Sequence, residues 1–338
     1  MLEHTREVIR SEQTDFSLPV AIERFALRQI VPRPGRLGLL VSLLGLVQRI
    51  GLDQLAARIL PARLADMVGL MPKIPPAVER ERMPPLTSAV GERKGRVALF
   101  EGCVMPECFG RVNDAARLVL SRAGYEVIVP QTQGCCGALQ AHSGDMPFAR
   151  SLATENARAF EGELGDLEAI IVTSAGCSAA LRDADKWIGE EGKGVAGGVR
   201  DILEFLDEVD CDLDFAPMEM RLCYDDPCHL IHAQGIAAGP RRLFAKIPKL
   251  ELVPHAPPEA WCATVAIYNL TQPEMSKRFL PPSGERLLAP NPEVVATANP
   301  EPSRLLAAGL RAQGRDTTAV HPVDRLAQTF PLLQAADG

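Results

Sequence analysis

An internal repeat of about 125 residues constrains the fold of this chain more than any other feature of its sequence. Four landmarks recur at separations of 125, 126, 125 and 125 residues: Cys103 with Cys228, Cys136 with Cys262, Cys177 with Pro302, and Ser174 with Asn299. Matched positions at one nearly constant offset indicate a duplicated unit. The two copies are predicted to cover residues 96–215 and 216–338.

Within each copy, short apolar segments alternate with amphipathic ones. RVALFEGC, YEVIVP and LEAIIV are typical of buried strands in the first copy, and MRLCYDD, LELVP and PEVVATANP take the same places in the second. Strands that alternate with helices indicate α/β units around a parallel sheet. We therefore expect an α/β fold of two tandem Rossmann-like half-domains related by pseudo-twofold duplication.

The first 95 residues have a different pattern. Residues 1–70 have apolar side chains at helical spacing, and residues 71–95 contain five prolines, so the sequence predicts a helical segment followed by an extended linker. The most apolar run, LGLLVSLLGLV over residues 37–47, is too short for a transmembrane helix, which needs about 20 residues. It is typical of a buried or interfacial helix.

Charge is distributed unevenly along the chain. The net charge is −7, yet residues 1–95 hold 14 basic and 10 acidic side chains, which leaves −11 on the remainder. The acidic balance argues against nucleic acid as a partner. The basic leading segment is compatible with solvated helix faces, with an acidic partner, or with peripheral binding at the inner face of a membrane.

Cysteine usage indicates a reducing compartment. The N-terminus MLEHTREVIR lacks the apolar stretch of a secretory signal, and nine cysteines are too few for a disulfide scaffold of 338 residues. We expect a cytoplasmic protein. In that compartment, clustered cysteines are typically metal ligands or redox groups.

Four cysteines of the first copy follow predicted strands. They are Cys103, the adjacent pair Cys135 and Cys136, and Cys177, and each has a glycine beside it. Because the carboxyl ends of parallel strands meet at one edge of a sheet, these thiols are expected to converge. Four thiolates are the ligand set of a [4Fe–4S] cluster or of tetrahedral zinc. The alternative is that they are small buried core residues.

The second copy retains only part of this set. Cys228 and Cys262 are weaker candidate ligands, because Trp261 and Pro302 occupy the other two places. Nearby histidines (His229 and His232) could complete a metal site, although hydrogen bonding or packing is the commoner role of such residues. We expect no complete cluster in this copy.

A set of motifs in a fixed order resembles a known family. The motifs are FEGCVMPE, QGCCGALQAHSGD, SAGCSAAL, DPCHLIHAQ, IYNLTQPEMS, VVATANP and HPVDRLAQ. They resemble the cysteine-rich CCG-domain proteins, which include one of the heterodisulfide reductase subunits, and in particular the glycolate oxidase iron–sulfur subunits. The resemblance implies that Cys103, Cys135, Cys136 and Cys177 hold one cluster and that residues 1–70 follow a ferredoxin module in the longer members.

The function implied by this resemblance is electron transfer. The chain would be a non-catalytic subunit of a glycolate- or lactate-type 2-hydroxy-acid oxidase complex, and it would receive electrons from an FAD-containing partner subunit. Because no cysteine precedes Cys103, a separate ferredoxin-like protein is a further expected partner. The chain has no dinucleotide fingerprint or phosphate loop, and GEEGKGVAGG over residues 189–198 is predicted to be a flexible loop, so no flavin is expected on it.

Two other functions are compatible with the same residues. One is a zinc-bound or metal-free interaction scaffold derived from that family. The other is a thiol–disulfide redox protein that uses the adjacent cysteines Cys135 and Cys136 or Cys228.

Overall fold

The structure is a computed structural model, and it describes residues 2–12, 17–60, 73–209, 213–255, 285–299 and 317–330, together with residues 68 and 71. The N-terminal segment is helical, as expected from its periodicity. Its elements are α1 (Leu2–Glu12), α2 (Leu18–Phe25), a π-helical turn (Ala26–Ile30), α3 (Pro34–Arg49) and α4 (Leu52–Ile59). Prolines at the starts of α2 and α3 have a φ angle suited to the first turn of a helix.

Within the described residues, no single helix is long and apolar enough to cross a membrane. The segments Leu18–Ile30 and Pro34–Arg49 reach that hydropathy only as a pair, and they are bent by 115° relative to each other.

The first repeat is built around a five-stranded sheet in the order β1-β3-β2-β4-β5. Its strands are β1 (Leu86–Thr87), β2 (Gly95–Phe100), β3 (Tyr125–Ile128), β4 (Ala169–Val172) and β5 (Val199–Asp201). All neighbours are parallel except β1, which pairs antiparallel with β3. The helices are α5 (Met105–Cys108), α6 (Gly110–Arg122), α7 (Ala138–His142), α8 (Met146–Glu161), α9 (Ala175–Arg182), α10 (Ala184–Ile188), α11 (Lys193–Gly198) and α12 (Ile202–Glu208).

The second repeat has the same topology. Its parallel sheet has the order β7-β6-β8-β9 and contains β6 (Met220–Asp225), β7 (Leu250–Val253), β8 (Val294–Thr297) and β9 (Thr318–Val320). Its described helices are α13 (Cys228–Gln234), α14 (Ala238–Ala245) and α15 (Pro322–Gln328). Strands β6, β7 and β8 begin and end 125 residues after β2, β3 and β4. The predicted duplication is therefore confirmed.

The two repeats pack against each other with pseudo-twofold symmetry. Among the described helices, the second helix of each repeat contacts the last helix of the other, so that α6 packs against α15 and α14 against α12. One apolar core runs between the sheets and includes Val119, Leu206, Phe244 and Leu326. A backbone hydrogen bond of 3.1 Å from Ala175 N to Ala298 O joins the two sheets at their carboxyl ends.

Two local predictions differ from the structure. Residues 189–198 are not a loop: they form a 3₁₀ turn (Gly189–Gly192) and α11, and a side chain on Gly192 would collide with the Ala184 carbonyl. The predicted linker is not only a linker, because it contains the edge strand β1, which pairs with β3 in the sheet. Pairing with β3 orders the linker and the close approach of Gly192 to Ala184 orders residues 189–198, and the local sequence reports neither contact.

Candidate metal centre

Three loops at the carboxyl edge of the first sheet carry the four predicted ligands. Cys103 lies three residues after β2, Cys135 and Cys136 lie in the loop between β3 and α7, and Cys177 lies in the first turn of α9. The parallel strands β3, β2 and β4 are neighbours in this order, so residues up to 74 positions apart meet at one place. We call these four residues the four-cysteine site.

The sulfur atoms form two close pairs. The Sγ atoms of Cys103 and Cys135 are 3.4 Å apart, and those of Cys136 and Cys177 are 3.2 Å apart. All four are free thiols, because a disulfide requires an S–S distance of about 2.05 Å. Cys135 and Cys136 are buried, while Cys103 and Cys177 are partly exposed. The structure thus brings together the whole set that the sequence predicted.

Glycines give the backbone the shape that this convergence needs. Gly102 has a φ of 76° and Gly137 a φ of 84°, both in the left-handed region that favours glycine. The turn at Gly137 directs its N–H to the sulfur of Cys135, and the N–H of Val104 reaches the sulfur of Cys103. Such amide donors stabilise negative charge on sulfur.

The thiols strongly influence one another's ionisation. Hydrogen bonds from the thiols of Cys103 and Cys136 hold the pKa of Cys135 well below its usual range. The pKa of Cys103 is raised by its hydrogen bond to Cys135 and by desolvation of its sulfur, and the pKa of Cys136 is raised by hydrogen bonds with Cys135 and Cys177 and by desolvation. A metal that binds all four as thiolates must therefore supply positive charge and release protons.

Buried amide side chains fix the three loops, and the sequence does not indicate this role, although Gln133 begins the QGCCGALQAHSGD motif. Asn156 donates to the Cys135 carbonyl at 2.8 Å and accepts from the Gly134 N–H at 3.0 Å. Gln133 accepts from Glu101 N at 2.8 Å and donates to Leu99 O at 3.1 Å, which ties the second loop to β2.

A third amide, Asn113, links the first and last of these loops. Its Nδ2 donates to Glu101 O at 3.1 Å, and its Oδ1 accepts from the Thr173 hydroxyl at 2.8 Å. All three amides are almost fully buried. Because they hold the backbone of the ligand loops in place, they pre-organise the site.

The N-terminal segment is fastened to the same region. Arg28 makes a two-point ion pair with Asp145, at 2.6 Å and 2.7 Å, just beyond α7. Between this segment and the ligand loops, a small pocket is lined by residues that include Pro32, Arg80, Cys103 and Cys135. The pocket is a route from solvent to one pair of sulfurs.

In the second repeat, Cys228 is the first residue of α13, the place equivalent to Cys103, and it is partly exposed. Its helix packs against α9, which carries Cys177. Cys262, Trp261 and Pro302 lie outside the described residues, so the predicted loss of this second site stays a prediction.

The histidine of the second repeat's motif contacts the first repeat. The ring of His229 lies 5.5 Å from that of His142, measured between centroids. Burial lowers the pKa of both rings, that of His142 to about 4. The packing role expected for His229 is compatible with this contact.

The donor set fits a sulfur-liganded metal centre. In the part of the chain that the structure describes, no three His, Cys, Asp or Glu side chains have the spacing of a ready-made single-ion site. The four-cysteine site instead offers two sulfur pairs on three separate loops, with amide donors aimed at two of the sulfurs. Thiolates as sole ligands are typical of iron–sulfur clusters and of zinc.

Fold and site together define the class of this protein as a tandem cysteine-rich-domain protein. The family model "Cysteine-rich domain" (CCG) matches residues 97–182 and 223–301, the two repeats described above. The model "Glycolate oxidase iron-sulfur subunit, linker region" matches residues 20–71, whose described part up to residue 60 belongs to the N-terminal helical segment.

Comparison of the whole chain narrows this class to a family. The chain is 30% identical over 342 residues to the probable glycolate oxidase iron–sulfur subunit of Bacillus subtilis, covering 96% of this chain and 76% of that protein. It is 27% identical over 286 residues to the glycolate oxidase iron–sulfur subunit of Escherichia coli, covering 82% and 65%. The chain belongs to the glycolate oxidase iron–sulfur subunit family.

A further relative matches half of the chain. A fumarate reductase (CoM/CoB) subunit of Methanothermobacter marburgensis is 38% identical over 168 residues, which is 49% of this chain and 32% of that protein. The chain thus spans about three quarters of the Bacillus relative and about a third of the methanogen one. Membership in the family implies an iron–sulfur cofactor and a partner oxidase subunit.

Proposed function

We propose that this chain is the electron-transfer subunit of a 2-hydroxy-acid oxidase complex. The observation that carries the proposal is the convergence of Cys103, Cys135, Cys136 and Cys177 on one edge of the first sheet. The family relationship supports the same role, because relatives are named as iron–sulfur subunits of glycolate oxidase and as lactate utilization protein A. The substrate would be a glycolate- or lactate-type hydroxy acid.

The proposed cofactor is one [4Fe–4S] cluster, with zinc as the alternative metal. When bound, the cluster would supply one-electron redox chemistry. The four cysteines would hold it, and the N–H groups of Val104 and Gly137 would stabilise the negative charge of the sulfurs. Asn113, Gln133 and Asn156 would keep the ligand loops in position, so that little rearrangement accompanies a change of charge.

The proposed partners follow from the same role. An FAD-containing oxidase subunit would deliver electrons, and a separate ferredoxin-like protein would exchange them with this chain. The pocket beside Cys103 and Cys135 brings solvent to the sulfurs and is a suitable place for electron exchange. We also propose that the protein associates peripherally with a membrane.

Metal analysis of anaerobically purified protein tests the cofactor. We expect about four iron and four sulfide per chain, and an EPR signal after reduction. Cys103→Ser should abolish the cluster, whereas Cys108→Ser, the matched control five residues away, should retain it. One zinc per chain without iron would select the scaffold function, and folded protein with neither metal would refute the proposed site.

The close sulfur pairs favour a second candidate, a thiol–disulfide redox protein. Contacts of 3.4 Å and 3.2 Å would need only small movements to become disulfides. Mild oxidation of metal-free protein, followed by peptide mapping, should then link Cys103 to Cys135 and Cys136 to Cys177. Reversible formation of these bonds in protein purified without metal would support this function over electron transfer.

A further inference from the structure

Most of the large apolar side chains that are exposed in the described part of the molecule lie on the N-terminal helices. Among the described residues, thirteen of the nineteen exposed large apolar side chains lie between Leu18 and Leu60, and none lies beyond Val90. Leu18, Leu39 and Ile59 are 72%, 64% and 71% exposed. A concentration of exposed apolar side chains of this kind on a folded protein marks an interaction site.

The helical register gathers these side chains into stripes. On α3, Leu37, Val41 and Gly45 are buried, while Leu39, Leu43, Leu46 and Ile50 are exposed at intervals of four, three and four residues. Helix α2 exposes Leu18, Ile22 and Phe25, and α4 exposes Leu52, Leu55 and Ile59, also at helical spacing. We call these three stripes the apolar face.

Arginines accompany the apolar face. Residues 17–60 contain six arginines and two acidic residues, a net charge of +4, whereas residues 96–338 carry −11. Arg36 and Arg49 are exposed on the leucine stripe of α3, three residues before Leu39 and three after Leu46. Arg24 and Arg58 are exposed on α2 and α4. Cations beside an apolar surface complement anionic headgroups above acyl chains.

Hydropathy favours lipid over protein as the partner that covers the apolar face. The bent pair Leu18–Ile30 and Pro34–Arg49 is as apolar as a membrane span, yet several of its leucines are exposed, among them Leu18, Leu39 and Leu43. Residues 1–95 contain no tryptophan or tyrosine, two of the three side chains enriched at protein–protein hot spots, and the third, arginine, also suits lipid phosphates. The 115° bend prevents the pair from crossing a bilayer as one rod and suits a segment that lies in the interface plane.

We infer that the apolar face of α2, α3 and α4 is an in-plane membrane-docking surface for anionic lipid bilayers. The inference rests on the peripheral association proposed above and names the surface that makes it. Leucine and isoleucine side chains enter the acyl region, and the arginines contact lipid phosphates. The acidic remainder of the chain is repelled by the same bilayer, which orients the protein with the N-terminal helices towards it.

Vesicle flotation with the purified full-length protein tests the inference. The probes are phosphatidylcholine vesicles with and without phosphatidylglycerol. We expect binding to the anionic vesicles, weakened about tenfold or more by the combined Leu39→Gln, Leu43→Gln and Leu46→Gln changes. Arg36→Gln and Arg49→Gln should each weaken it about fivefold. Val78→Gln, a matched change at a side chain that is 70% exposed outside the face, should have no effect.

The depth of insertion gives a second readout. A tryptophan placed by Leu43→Trp should shift its emission to shorter wavelength on anionic vesicles, whereas Val78→Trp should not. Absence of flotation, or flotation that the leucine changes leave intact, would overturn the inference. Self-association or capture of a partner protein that is lost with the leucines would instead assign the face to protein. Iron and sulfide measured on the same samples report separately on the proposed electron-transfer function.

Discussion

The Nε2 atom of Gln140 donates a hydrogen bond of 2.7 Å to the carbonyl oxygen of Leu27, across 113 positions of the chain. The Leu27 carbonyl oxygen is available for this bond because the π-helical turn leaves it without a backbone N–H donor. Val31 N–H donates to Ala26 O, and Pro32 has no N–H to offer. The other end of the Gln140 amide lies 3.8 Å from the sulfur of Cys135. One fully buried side chain therefore joins the N-terminal segment to the four-cysteine site.

Replacing this amide should destabilise the protein. Gln140→Leu leaves the Leu27 carbonyl without its partner, and we expect a loss of about 1–3 kcal/mol in the free energy of unfolding. Urea denaturation of metal-free protein measures it. Pro32→Ala restores an N–H that can reach the Leu27 carbonyl, so it should recover part of the loss in the Gln140→Leu background. Equal costs of Gln140→Leu with and without Pro32→Ala would contradict this account.

Gln140 also illustrates which parts of the molecule can be predicted from the sequence. The main strands, the duplication and the convergence of the four cysteines follow from hydrophobic runs and a constant repeat offset, because both can be read directly from the sequence. The roles of the polar residues that hold the ligand loops do not: Asn113 and Asn156 lie in ordinary helix sequence, and the QGCCGALQAHSGD motif does not show what its two glutamines, Gln133 and Gln140, contact. Their partners are backbone groups far away in the chain, so their role becomes visible only once the chain is folded. The short strands β5 and β9 likewise escape prediction, since each has only three residues.

The ion pair between Arg28 and Asp145 should hold the N-terminal segment against the first repeat. The Asp145 side chain is only 8% exposed and accepts two hydrogen bonds from Arg28. Arg28→Met should cost about 1–2 kcal/mol and speed tryptic cleavage after Arg24. Asp145→Asn should have a similar effect, and the double variant should be little worse than either one. Additive costs in this cycle would mean that the two side chains act independently.

Two glycines of the same loop should differ sharply when replaced by alanine. Gly137 has a φ of 84°, and a Cβ there would lie 3.1 Å from the Ala149 carbonyl oxygen, whereas a Cβ on Gly134 meets nothing within 4 Å. Gly137→Ala should cost about 1–3 kcal/mol and lower the iron content, because it displaces Cys135 and Cys136. Gly134→Ala is the matched control and should retain both. A Gly137→Ala protein with full iron content would show that the loop adapts.

The last helix of each repeat begins at a buried side chain that can titrate. Asp201 accepts from Leu203 N at 2.9 Å at the start of α12, and His321 accepts from Val323 N at 3.2 Å at the start of α15. Burial raises the pKa of Asp201 to about 7 and lowers that of His321 to about 3. The two groups therefore favour folding in different pH ranges.

The signs follow from proton binding. The Asp201 carboxyl holds its proton up to about pH 7 when folded but ionises near pH 4 when unfolded, so stability falls as pH rises between these values. His321 acts oppositely: the unfolded imidazole takes up a proton near pH 6.5 and the folded one does not until about pH 3, so stability falls as pH decreases through that range.

Asp201→Asn should separate the two effects. Asparagine caps a helix about as well as aspartate, and it carries no charge to bury. We expect the variant to match the parent near pH 4 and to exceed it at pH 8 by a few kcal/mol, with about 4 kcal/mol as the upper bound from the pKa shift. The loss of stability at acid pH that His321 causes should persist. A smaller loss of stability at alkaline pH should also persist, because burial raises the pKa of Asp324 to about 6. Unfolding midpoints between pH 4 and pH 8 measure this, and parallel curves for the two proteins would show that Asp201 is ionised in the folded state throughout.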